Sequence, residues 1–61
     1  MHEKLETLEE TLMTQLSLAG TYWEDGAPAS AARCLRKAAQ IADQYAQVKS
    51  DLLTELHTND Q

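Results

Sequence analysis

Sixty-one residues allow one small domain and can hardly wall off a substrate pocket, so the chain is expected not to be an enzyme. Nine of its apolar residues are alanine and none is phenylalanine. A lone core is marginal at this size, and a protein partner, identical or different, is the first expectation. Five basic against ten acidic residues leave a net charge of −5, which repels phosphate backbones and disfavours broad nucleic-acid binding.

The charge is unevenly spread. Residues 1–26 hold Glu3, Glu6, Glu9, Glu10, Glu24 and Asp25 against Lys4, whereas Asp43, Asp51, Glu55 and Asp60 balance Arg33, Arg36, Lys37 and Lys49 in the remainder. The single Cys34 admits no intramolecular disulfide and suits a reducing compartment. The N-terminus has no apolar leader core, and no apolar run approaches the ~20 residues of a membrane span. The chain is therefore expected to be soluble and cytoplasmic, with no membrane contact.

In chain order, Leu5, Leu8, Leu12, Leu16, Ala19, Tyr22 and Trp23 recur at steps of three and four. They predict an amphipathic helix over about residues 3–24. Glu3 and Glu6 in its first turn favour the helix dipole. Gly20 weakens this helix by about 1 kcal/mol relative to alanine; a small residue there is expected to let a neighbouring backbone approach closely. Asp25-Gly26-Ala27-Pro28 is a turn signal, because glycine suits the end of one helix and proline the first turn of the next.

A second helix is predicted over about residues 29–57, ~45 Å long at 1.5 Å per residue. It carries three adjacent apolar seams. One is Ala31, Leu35, Ala38, Ala42, Tyr45, Leu52 and Leu56, broken by Lys49; another is Cys34, Ala38, Ile41, Tyr45, Val48 and Leu52; the third is Ala32, Ala39, Ala46 and Leu53. Heptad spacing argues coiled-coil packing. Two amphipathic helices and a short turn predict an all-α antiparallel hairpin, with residues 58–61 as a frayed tail.

One facing helix covers about three residues in seven, yet 14 of the 26 residues from Ala31 to Leu56 are apolar. Hairpin packing is expected from Leu5, Leu8, Leu12, Leu16 and Tyr22 against Ala31, Leu35, Ala38 and Ala42. Ile41, Tyr45, Val48, Leu52, Leu53 and Leu56 are then left to meet a partner, either a second copy or another helical chain. The alanines on this face, Ala38, Ala42 and Ala46 with Ala31, Ala32 and Ala39, are expected to allow close helix approach.

The stretch Leu18-Ala19-Gly20-Thr21-Tyr22, followed by Gly26, Ala31, Leu35 and Ala38, resembles a single tetratricopeptide repeat. The early tryptophan of that family is replaced here by Gln15 and its closing proline by Asp43. The resemblance implies packing roles, not catalytic ones, for these residues. In size, hairpin form and Gly-containing turn the chain is also similar to the small co-chaperones of type III secretion needle subunits. Those proteins, with a larger tetratricopeptide-like chaperone, keep a needle protein soluble. Rop-type RNA-binding hairpins, which dimerise into four-helix bundles, are similar in size too.

No site for chemistry stands out. His2 and His57 lack ligand spacing to Cys34, so neither a metal nor a cofactor is expected. Cys34 reads as a small apolar residue in a seam. Glu6, Glu9 and Glu10 read as a solvated face, and Tyr22-Trp23 as packing near the turn. Arg33, Arg36 and Lys37 form the one basic patch; Glu24 and Asp25 balance it across the turn, and it is the candidate contact for an acidic partner or RNA. The function expected is a non-enzymatic interaction module, a small chaperone, co-chaperone or adaptor, with an RNA-binding hairpin dimer as the alternative.

Overall fold

A computed structural model describes residues 2–59, and the side chains of residues 3–55. Two helices, α1 (His2–Glu24) and α2 (Pro28–Asn59), pack against each other as an antiparallel hairpin. The boundaries differ little from those the sequence predicts. Pro28 belongs to α2 instead of the turn, and Thr58 and Asn59, expected to fray, are helical. Asp60 and Gln61, the rest of the expected tail, lie outside the described residues.

The reversal takes three residues. The N–H of Gly26 donates to the carbonyl of Trp23 (3.2 Å) and that of Ala27 to the carbonyl of Tyr22 (2.8 Å). This pair of bonds is the Schellman ending of a helix. It needs a left-handed residue after the helix, and Gly26 has φ 78°. Ala27 is at once the last residue of this motif and the first cap of α2, because its carbonyl accepts from the N–H of Ala31 at 3.1 Å. Pro28 follows at the first helical position, where its missing N–H costs nothing.

The molecule measures 54 × 16 × 10 Å, one helix thick. A body this thin has one seam in place of an interior. On α1 the seam is Leu5, Leu8, Leu12, Gln15 and Ala19; on α2 it is Ala31, Cys34, Ala38, Ile41, Tyr45, Val48 and Leu52. All of these are buried or half-buried, in unbroken alternation of three and four. Ala19, Ala31, Ala38 and Ile41 are the most deeply covered. The small seam side chains, Ala19, Ala31, Cys34 and Ala38, are concentrated toward the turn.

This seam corrects the expected division of labour. Leu16 and Leu35, assigned from sequence to hairpin packing, are 49% and 51% exposed, and Ala42 is exposed as well. Ile41, assigned to a partner, is only 7% exposed, and Tyr45, Val48 and Leu52 are half-buried in the same seam. The physical reason is the 3.5-residue repeat of packed helices. After Leu8 and Leu12 the repeat falls on position 15, so Gln15 faces inward and Leu16 is turned aside. Tyr22 takes the next seam position, but at the turn end it stays 37% exposed.

Candidate interaction face

Beside the packed seam runs a second one. The residue after each seam position on α1 gives Glu6, Glu9, Met13, Leu16, Gly20 and Trp23, all exposed. On α2 the same step gives Ala32, Leu35, Ala39, Ala42, Ala46, Lys49 and Leu53, of which only Ala32 is half-buried. Trp23 at 69% and Met13 at 62% are the most exposed large apolar side chains. Each stripe is rotated by about 100° from the seam along its own helix, and in an antiparallel pair those rotations carry both to the same face. The shallow groove lined by Glu9, Leu12, Ala42 and Tyr45 shows the result. Glu9 and Ala42, one from each outer stripe, flank Leu12 and Tyr45 from the seam between them.

The opposite and outer sides are mainly polar, with Leu18, 40% exposed, as an apolar exception on α1. Lys4, Thr7, Thr11 and Thr14 occupy them on α1, and Arg33, Lys37, Gln40, Gln44, Gln47 and Asp51 on α2. The threonine hydroxyls close on their own helix: Thr7 donates to the Glu3 carbonyl at 2.9 Å, Thr11 to Thr7 at 2.9 Å and Thr14 to Glu10 at 3.0 Å. Gln47 Nε2 donates to Asp51 Oδ1 at 3.1 Å, one turn along α2. The hairpin therefore has an apolar face and a polar one, a contrast that its composition does not reveal.

Arg33, Arg36 and Lys37 are exposed, and helical geometry places them on the outer and polar sides. Leu53 lies at the end of the apolar stripe of α2 and is 52% exposed. The side chain of Leu56, expected at the partner surface, lies outside the described residues. Cys34 is a half-buried free thiol in the seam. Gly20 departs from its expected role. A Cβ placed there meets nothing within 4 Å, so close packing of α1 on α2 does not require it. Met13, Gly20 and Trp23 are members of the face that the sequence reading missed. The available signal was the one-residue offset between two parallel heptad stripes.

Among the described residues no group of three or more His, Cys, Asp or Glu side chains is arranged to hold a metal ion, and no helix is long and apolar enough to cross a membrane. No buried polar or charged residue occurs among them either. What the arrangement offers chemically is an apolar strip two helices wide.

The fold thus defines an all-α hairpin with one apolar and one polar face. Comparison of the chain with protein-family models, characterised proteins and solved structures finds no match, and the reading of this face stands on its own geometry and chemistry.

Proposed function

We propose that this chain is a non-enzymatic helical interaction module that docks a helical partner on its apolar face. The observation that supports the reading is the pair of parallel stripes. Met13, Leu16 and Trp23 on one helix and Leu35 and Leu53 on the other stand exposed on the same side of the hairpin. Apolar surface gathered on one face is the signature of an interaction surface, and the 3-4 spacing fits the apolar edge of another helix. A small chaperone or adaptor works in this way, by covering an apolar helix of a client that would otherwise aggregate.

The test is affinity capture combined with sedimentation, on the native chain and on the Leu16→Glu/Leu35→Glu double variant. Both side chains lie outside the seam, so the packing within the hairpin is left intact, and circular dichroism at the assay concentration checks that the variant is helical. The native chain is expected to co-purify with a helical protein, another copy or a different chain, and the variant to lose it. Equal retention by the variant would overturn the reading. The exposed cluster Arg33, Arg36 and Lys37 supports a competing one, RNA contact by a hairpin dimer. That reading requires retention of structured RNA that falls steeply with salt.

A further inference from the structure

We propose that the apolar face is completed by a second copy of this chain, related by a two-fold axis parallel to the helices, so that α1 of each copy lies along α2 of the other in a four-helix bundle. The proposal rests on the interaction-module reading and names its partner.

Register carries the first part of the inference. Rotation about an axis parallel to the helices involves no translation, so residues that face each other across the interface are those already level in one hairpin. The groove brings residues 9–12 of α1 beside residues 42–45 of α2, and antiparallel order then puts Glu9 nearest in height to Tyr45 and Leu12 nearest to Ala42. Carried to the two outer stripes, to within one residue's rise of about 1.5 Å, that order sets Met13 opposite Ala42, Leu16 opposite Ala39 and Gly20 opposite Leu35. At each of these positions a bulky side chain meets a small one, as interdigitating packing requires. Gly20 has open space around it in the single hairpin, and in the bundle that space receives Leu35.

Charge follows the same register. Among the described residues, Glu6 and Glu9 on α1 and Lys49 on α2 are the charged members of the two stripes, and the level alignment sets Glu6 opposite Lys49. A two-fold axis running across the helices gives a different pairing, α1 on α1 and α2 on α2. Bulky residues then stack on bulky ones and alanines on alanines, and both glutamates are separated from Lys49.

A compact monomer of this 6.8 kDa mass exposes about 4,000 Å², whereas the hairpin exposes 4896 Å². The excess, about 900 Å², is surface that a body one helix thick leaves uncovered. The interface is isologous, with the same face used by both copies.

Sedimentation equilibrium tests the stoichiometry and directed cross-linking tests the arrangement. The native chain is expected at twice its 6.8 kDa mass. Leu16→Glu or Leu35→Glu is expected to weaken the dimer at least about a hundredfold, because each substitution counts twice in a two-fold interface. For cross-linking, chains carrying Cys34→Ser with either Met13→Cys or Ala42→Cys are mixed and oxidised. The expected product joins the two different variants. Preferential linking of like variants overturns the axis proposed. A chain that stays monomeric while capturing a different helical protein through Leu16 and Leu35 overturns the dimer and leaves the interaction module standing. A monomer whose capture is indifferent to those substitutions removes both.

Discussion

The two glycines do opposite work at the residue scale. Gly26 holds φ 78° with open space where a Cβ would go, so substitution there is penalised by backbone conformation and not by a clash. Gly26→Ala is expected to destabilise the hairpin by about 1–2 kcal/mol, read as a lower urea midpoint. Gly20 sits in regular helix, also with open space around it. Gly20→Ala is expected to stabilise the monomeric hairpin by about 0.5–1 kcal/mol, in the same assay at low protein concentration. The sequence alone identifies Gly26, because glycine followed at two residues by proline is a punctuation signal. It cannot assign Gly20, whose surroundings depend on which side of α1 faces α2.

Ile41 and Leu35 separate the two seams at the scale of elements. Both are apolar and both stand in a 3-4 pattern, yet Ile41 is buried in the hairpin and Leu35 is half exposed. Ile41→Ala is expected to cost about 2–5 kcal/mol. Leu35→Ala is expected to cost under about 1 kcal/mol in the dilute hairpin. Denaturant titrations of the two variants side by side check this. The helices, the turn and the antiparallel pairing were legible in the periodicity of Leu5, Leu8, Leu12 and Ala19 and in Asp25-Gly26-Ala27-Pro28. The choice between the two α2 seams was not. Both are apolar, and the deciding information lies on α1, where the polar Gln15 takes an inward position that a leucine-following reading gives to Leu16. Gln15→Leu is accordingly expected to stabilise the hairpin by about 1 kcal/mol, seen as a raised melting temperature.

For the whole molecule, a body 54 Å long and only one helix thick has little with which to hold itself together alone. If the apolar face is covered by association, stability becomes a function of concentration. The melting temperature of the native chain is expected to rise with protein concentration, and that dependence is expected to vanish in the Leu16→Glu/Leu35→Glu variant. Calorimetry or circular dichroism over a dilution series measures both. The surplus of apolar residues was visible from composition and spacing. Its location on both helices, on a single face, was not, because that is a property of the pair and of neither helix alone.

The three-residue turn has a consequence for what this chain is prevented from becoming. Seam residues Ala19 and Ala31 stand twelve positions apart. In a 3.5-residue repeat that separation is a phase difference of roughly 150° around a common axis. If Gly26 were to adopt right-handed geometry and the chain straightened into one long rod, its two apolar edges would point to nearly opposite sides. No single neighbouring rod can cover both. The phase break at the turn therefore works against the long-rod alternative that two heptad-patterned segments would otherwise permit, and it keeps the folded-back form as the one that hides both edges at once.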